Sequence, residues 1–232
     1  MTGVTARPAA TVLVLREGAQ GFEVLMLHRV ARGFFGGLWV FPGGKVEEID
    51  HSDLAREAVA VPEDADDLPW RSAALRETIE EVGVAITDPP LAEPLRAEGA
   101  AVFEQVLAHE AVLDGRRLRL LSQWVTPRSA PVRFDTRFYL ARVEEDTAPE
   151  ADPAEATEAC WVPPRLALER AADGSWPMIV PTRHHLEWLA GFDDLAAAWE
   201  AAGRARIRPV EPIVERDGSE VRITLPDAAR LP

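Results

Sequence analysis

The chain has one cysteine, Cys160, in 232 residues. A single thiol excludes an internal disulfide framework and suits a reducing compartment. No apolar run approaches the roughly twenty residues that cross a bilayer, so no membrane span is expected. The N-terminal MTGVTARPAATVLVL has a short apolar stretch without a signal-peptide layout, and a cytoplasmic location is the expectation. Positive charge is scarce: 25 basic against 39 acidic residues, for a net charge of −14, with Lys45 the only lysine. A nucleic-acid binder usually carries a basic footprint, so no nucleic-acid partner is expected. Phosphate substrates stay open, because a bound metal or local arginines can reverse the sign at a site. The 47% hydrophobic content is enough for a proper core, and the length fits one large domain or a domain with an extension.

The most informative stretch is Pro69–Val84, PWRSAALRETIEEVGV. Leu75, Ile79 and Val82 recur at helical spacing and mark a core-facing side. Glu77, Glu80 and Glu81 fall three and four residues apart on another side of the same helix. Asp67 or its neighbour can cap the start, Pro69 suits the first turn, and Gly83 suits the position just past the end. Like charges at that spacing repel, and a solvated face would more often mix Glu with Lys or Arg. The cluster therefore suggests a hard divalent cation shared with substrate phosphates; a solvated acidic face is the plainer alternative. Upstream, the apolar run Leu38-Trp39-Val40 reads as a strand ending in Phe41-Pro42-Gly43-Gly44, where two glycines let a ligand or metal approach the backbone closely.

FPGG followed by AALRETIEEVG resembles the Nudix signature G-x5-E-x7-R-E-U-x-E-E-x-G-U. Gly44 matches the first glycine, and Arg76, Glu77, Glu80, Glu81, Gly83 and Val84 match directly, with Thr78 at the hydrophobic position. Two departures stand out. The first acid is Asp50 rather than Glu, and residues 51–75 separate it from Arg76 where the pattern has seven. An enlarged box of this kind is similar to a subfamily that includes a peroxisomal coenzyme A diphosphatase. Trp124-Val125-Thr126-Pro127 and Arg133–Phe138 look like that subfamily as well.

Along the rest of the chain, Thr11–Arg16 and Phe22–Arg29 read as strands. Arg29 and Arg32 are candidates to hold a phosphate at the cleft rim, solvated arginines being equally acceptable. The glycine- and aromatic-rich stretch 33–37 borders the same region. Asp53–Val61 reads as a short helix within an insertion, 51–68, taken as a surface addition. Ala100–Leu113 has helical periodicity. Leu118–Val125 and Arg133–Val143 read as strands, the second placing Arg133, Asp135 and Arg137 on one face. That face suggests an Arg–Asp–Arg network, either structural or with Arg137 reaching a phosphate. Glu144–Ala159 reads as an acidic loop, and Pro163–Ala171, Thr182–Leu189 and Asp193–Ala202 as helices, with Thr182 as an N-cap. His184 and His185 lack the spacing of a zinc pair and read as solvated. Asp217-Gly218 between two alternating runs signals a hairpin over Pro209–Leu225.

The resemblance implies an α/β (α+β) Nudix fold, a mixed β-sheet sandwiched between helices, with C-terminal helices and a β-hairpin. We expect one domain over 1–232, with a core at about 10–165 and an extension over 166–232. The implied chemistry is metal-dependent hydrolysis of a diphosphate linkage in a small nucleoside diphosphate derivative. Mg2+ or Mn2+ would sit on Glu77, Glu80, Glu81 and the carbonyl of Gly43, and Arg76 would orient a glutamate. The proton acceptor is one of the helix glutamates, or Glu155 or Glu158 in the late loop. Coenzyme A or an acyl-coenzyme A is the expected substrate, with Trp39, Trp124 and Trp161 as candidates to stack on adenine. An ADP-ribose or NADH diphosphatase, or a non-catalytic nucleotide-metabolite sensor, is the alternative. A homodimer through the C-terminal segments is a further expectation.

Overall fold

The computed structural model describes residues 4–19, 21–32, 35–217 and 220–232. Gly33 and Phe34 of the glycine-rich stretch and Gly218 of the expected hairpin turn lie outside the described residues. Strands β1 (Arg7–Gly18) and β2 (Gly21–Arg29) pair antiparallel with Leu15 opposite Val24. The short strands β3 (Trp39–Val40) and β4 (Gly43–Lys45) pair with β2 and β1 in turn. A 3-10 turn at Glu48–His51 leads to α1 (Asp53–Ala58) and β5 (Val59–Ala60), then to α2 (Leu68–Val82). Next come β6 (Thr87–Asp88), α3 (Ala100–Ala108), β7 (Val112–Asp114), β8 (Arg119–Val125), β9 (Phe134–Arg142) and β10 (Ala156–Val162). The chain ends with α4 (Pro164–Ala172), α5 (Val180–Leu189), α6 (Leu195–Ala202), β11 (Pro209–Val210), β12 (Ile213–Asp217) and β13 (Glu220–Thr224).

The main sheet runs β10-β2-β1-β9-β8-β11, with β1–β9 and β8–β11 parallel and the other pairs antiparallel. Alternation along β1 explains its two covers. Ala10, Val12 and Val14 face one cluster with Leu75, Ile79 and Val82 of α2 and Val102, Phe103 and Val106 of α3. Leu13 and Leu15 face the other, with Phe138 and Leu140 of β9, Leu186 and Leu189 of α5 and Ala198 of α6. Each buried Val, Leu, Ile or Phe among them contributes roughly 1.5–3 kcal/mol by leaving water. The result is a mixed sheet between two helical layers, as the Nudix resemblance implied. Among the described residues no helix is long and apolar enough to cross a membrane.

Several local expectations are corrected. The insertion is not a surface addition: Ala55, Ala58 and Val59 are core residues, and β5 joins β7 and β6 in a second, three-stranded sheet. Ser52 starts α1 by accepting the Ala55 N–H at 3.1 Å. The periodicity over 100–113 ends early, because α3 stops at Ala108 and Val112–Asp114 pairs with β5 and β6. Thr182 lies inside α5 and is buried; Ile179 occupies the cap position. His185 is fully buried, with its Nδ1–H donating to Pro181 O at 2.6 Å and Ser122 Oγ donating to Nε2 at 2.7 Å. Burial, the largest influence, holds it down to about 3, so the ring is neutral. His184 Nε2 bonds Ala229 O at 2.8 Å, so neither histidine is the solvated residue expected.

Candidate active site

Helix α2 is the backbone of the site. It stops where Gly83 takes the left-handed conformation (φ 66°) and its N–H bonds Ile79 O at 2.8 Å. Asp67 sits at the N-cap position, but its carboxylate does not cap. It accepts instead from Arg71 Nε at 2.6 Å and Tyr139 Oη at 2.8 Å. Arg71 also donates to the carbonyls of Gly115 and Leu118, so this buried network fixes the start of α2 against β9 and the turn before β8.

One turn later Arg76, 2% exposed, spends all five of its N–H donors. Nε and Nη2 reach the two oxygens of Asp50 at 3.1 and 3.0 Å, Nη2 also reaches Lys45 O at 3.1 Å, and Nη1 reaches Glu77 at 3.0 Å and Glu80 at 2.8 Å. Asp50 is 0% exposed and also accepts the Glu47 N–H at 2.8 Å. Asp50, the acid that departs from the signature, is thus Arg76's anchor, and Arg76 sets two glutamates rather than one. Burial works against the charge on Arg76, but Asp50, Glu77 and Glu80 outweigh it and the guanidinium stays protonated.

The glycines act through space. A Cβ on Gly44 would lie 2.3 Å from the Glu77 carboxylate, and one on Gly43 (φ 153°) would lie 2.3 Å from Ala10 O. These residues form β4 rather than an open loop. The Gly43 N–H points at Glu81 Oε2, 2.9 Å away. Arg29 donates from Nη1 to Glu81 Oε1 and from Nη2 to Glu155 Oε2, both at 2.5 Å. Glu80 Oε1 accepts the Gly99 N–H at 2.7 Å, just before α3.

Glu155 is delivered by a docking that the sequence did not reveal. The last carbonyls of α2 are capped from the late loop, by Asp152 N–H on Glu81 O and Glu150 N–H on Val82 O, both 2.9 Å. Ala156 N–H then returns to Asp152 O at 2.8 Å. Orphan carbonyls at a helix end need such partners, and satisfying them here brings Glu155 beside Glu81. Glu158 goes elsewhere. It lies inside β10, on the face shared with Cys160, whose thiol is pushed up to about 11 first by burial and then by Glu158.

Other expected site residues are also displaced. Arg137 stacks its guanidinium 3.9 Å from the Trp70 ring and sits 3.7 Å from Asp67, at the start of α2. The Arg–Asp–Arg network does not form. Asp135 accepts from Gln123 Nε2 at 2.8 Å, and Arg133 turns to Thr126 O and Val4 O. Long flexible side chains choose partners from neighbouring strands and helices, which alternation cannot foresee. Trp39 and Trp124 are buried, and Trp161 donates to Thr147 O at 2.8 Å beneath Arg16, so none is free to stack on a base. Arg32 is exposed beyond the end of β2.

Asp50, Glu77, Glu80, Glu81 and Glu155 thus surround two guanidiniums, Arg29 and Arg76. Burial pushes Glu77 up to about 8 against the pull of Arg76, and Glu81 up to about 7 against Arg29 and the Gly43 N–H. Glu80 is raised by burial too.

Residues 5–180 match the NUDIX domain. The chain belongs to the Nudix family. This Nudix protein resembles a NUDIX hydrolase from Alicyclobacillus acidocaldarius, at 32% identity and a TM-score of 0.76 over 89% of this chain and 99% of that one. It is 28% identical to nudix hydrolase 7 of Caenorhabditis elegans, over 81% of this chain and 62% of that protein. It is 27% identical to the human acyl-coenzyme A diphosphatase NUDT19, over 77% of this chain and 63% of the human one. The chain therefore spans less than two thirds of the length of these two curated relatives.

Nudix hydrolases generally use divalent metals such as Mg2+ or Mn2+, and the residues present fit such an ion in kind. The donors are hard carboxylate oxygens, negative charge exceeds positive, and Gly44 leaves room for the Glu77 carboxylate. Among the described residues no three acidic side chains converge on one point as they stand. Glu77 and Glu80 are turned onto Arg76, and Glu81 onto Arg29.

Proposed function

We propose that this protein hydrolyses the diphosphate linkage of a nucleoside diphosphate derivative, with coenzyme A or an acyl-coenzyme A as substrate. The observation that carries the reading is the cluster of Glu77, Glu80, Glu81 and Glu155, carboxylates that two arginines leave under-neutralised beside the Gly43–Lys45 strand. Glu77, Glu80, Glu81 and the Gly43 carbonyl would hold Mg2+ or Mn2+, which would neutralise phosphate oxygens and acidify a water. Arg76, itself locked by Asp50, limits how far Glu77 and Glu80 can move from the cleft. Arg29 ends β2 and Arg32 lies exposed just beyond it, where a guanidinium fork suits a phosphate. Glu155 is 49% exposed and is the carboxylate best placed to take the proton of the attacking water. The water oxygen bonds to phosphorus, the bridging P–O bond breaks, and the second phosphate leaves with its electron pair. Coenzyme A is supported by the enlarged box and by the likeness to the human acyl-coenzyme A diphosphatase.

The test is incubation with Mg2+ or Mn2+ and a panel of coenzyme A, acyl-coenzyme A, ADP-ribose and NADH, with products read by mass spectrometry. A phosphopantetheine product, lost in Glu81→Gln, supports the whole reading. Turnover of ADP-ribose or NADH alone keeps the chemistry and replaces the substrate. Tight binding with no turnover would make the protein a sensor. We also propose a homodimer through β12 and β13, whose two-stranded sheet leaves Ile213 52% and Ile223 46% exposed. An isolated hairpin is marginal in water, so sedimentation should show a dimer that Ile213→Glu with Ile223→Glu converts to monomer.

A further inference from the structure

We infer that Arg29 is a built-in counter-cation that trades places with the divalent metal: its guanidinium holds Glu81 and Glu155 together when the metal is absent and leaves Glu81 when the metal is taken up. The inference rests on the reading that Glu77, Glu80 and Glu81 bind a divalent cation.

Both oxygens of Glu81 are in use. Oε2 takes the Gly43 N–H at 2.9 Å and Oε1 takes Arg29 Nη1 at 2.5 Å. A Mg2+–oxygen bond is about 2.1 Å long, so ion and guanidinium would crowd and repel each other at Oε1. One of the two existing partners must give way. Gly43 is held by backbone pairing, with Thr11 of β1 opposite it. The backbone of Arg29, the last residue of β2, is paired too, but its contact with Glu81 is made by a long side chain that is 23% exposed and can swing without disturbing the sheet. Arg29 is therefore the partner that moves.

The contrast with Arg76 sharpens the assignment. Arg76 also touches two glutamates, but it is anchored from behind by Asp50 and by Lys45 O and is 2% exposed. Among the described residues Arg29 has no such anchor: its side-chain partners there are both carboxylates of the cleft. One arginine is thus a fixed part of the site and the other an exchangeable one. Glu155, on the late loop, lets Arg29 keep one ion pair after it releases Glu81. The exchange then costs less than stripping the guanidinium bare, and it leaves Glu155 and Arg29 together at the cleft edge.

The deciding experiment is a Mn2+ titration, followed by electron paramagnetic resonance without substrate, on wild type, Arg29→Gln, Arg29→Lys and Glu77→Gln. Removing a competitor charge should make Arg29→Gln bind Mn2+ about tenfold tighter, the size of one charge-assisted bond to a buried carboxylate. Arg29→Lys keeps the charge but cannot bridge both glutamates, and should fall between. Saturating Mn2+ should also raise the melting temperature of Arg29→Gln more than that of wild type. Equal or weaker binding by Arg29→Gln, with wild type binding normally and Glu77→Gln impaired, overturns the exchange and leaves the metal reading intact. No binding by wild type, or binding indifferent to Glu77→Gln, overturns both. Should Arg29→Gln fail to fold, Arg29→Lys decides by the same criterion: tighter binding supports the exchange, equal or weaker binding overturns it.

Discussion

Replacing Asp50 with alanine tests the frame on which the site stands. The carboxylate is 0% exposed and makes three hydrogen bonds, two from Arg76 at 3.1 and 3.0 Å and one from Glu47 N–H at 2.8 Å. Hydrogen bonds to a charged group are worth roughly 1.5–3 kcal/mol each, and breaking one side of a buried ion pair costs about 3–5 kcal/mol. Arg76 keeps Glu77 and Glu80, so the guanidinium is not left bare and the lower end applies, about 3 kcal/mol. Urea denaturation of the metal-free protein, with m unchanged, should read that loss as a lower midpoint. Asp50→Asn keeps the shape and one acceptor and should lose less, about 2 kcal/mol. Asp50→Glu restores the residue type of the signature but forces an extra methylene into a fully buried site, at about 1–3 kcal/mol. Turnover should fall in all three variants, because Glu77 and Glu80 lose the fixed arginine that aims them. A loss below about 1 kcal/mol in Asp50→Ala would refute the argument that this pair carries the site.

Three further outcomes follow from particular contacts. Glu155→Gln should lower kcat by about 10²–10⁴, whereas Glu158→Gln, on the far face of β10, should leave turnover within about twofold of wild type; steady-state kinetics on the cleaved substrate compares them. Gly44→Ala places a Cβ 2.3 Å from the Glu77 carboxylate, so Mn2+ affinity should drop at least as far as in Glu77→Gln, as read by the same resonance titration. Glu77 and Glu81 are raised from 4.5 to about 8 and about 7, so between pH 4.5 and 8 the folded protein holds more protons than the unfolded chain. Their stabilisation is full below pH 4.5 and lost as pH rises through 7 and 8. The metal-free protein should therefore melt lower at pH 8.5 than at pH 6, while saturating Mg2+ should flatten or reverse that trend.

What the sequence made legible follows from how local each signal is. The limits of α2 could be read because Pro69, the spacing of Leu75, Ile79 and Val82, and Gly83 all act within one helix. The β12–β13 hairpin was legible for the same reason, but Pro209–Val210, expected as part of it, is β11 and pairs with β8 across a distance in sequence that no local signal reports. Arg76 and its glutamates were legible through a signature whose residues are neighbours in the chain. The pairing of Arg29 with Glu81 and Glu155 was not, because β2, α2 and the late loop meet only in the folded sheet. The burial of His185 was equally hidden, since nothing near it in sequence announces Ser122 of β8 as its partner. Arg137 misled for a related reason. Its strand was read correctly, but the side chain chose Trp70 and Asp67.

The enlarged box shows how a long insertion can be absorbed without separating Asp50 from Arg76. The Asp50–Arg76 pair needs its two ends close, and the added chain between them must leave and return to nearly the same place. Loop closure alone charges little for length, because its entropy grows only as a logarithm. The larger cost would be disorder in the loop itself, and here it is offset by structure: α1 and β5 bury Ala55, Ala58 and Val59 against α3 and β7. Asp67 then ends the insertion by binding Arg71 and Tyr139, which sets where α2 begins. A helix started at a fixed point has its later residues fixed as well, at 1.5 Å per residue. The insertion thus helps to place Glu77, Glu80 and Glu81, although it contributes none of them. Loosening Asp67 should accordingly disturb metal binding more than a same-sized change on the exposed side of α1.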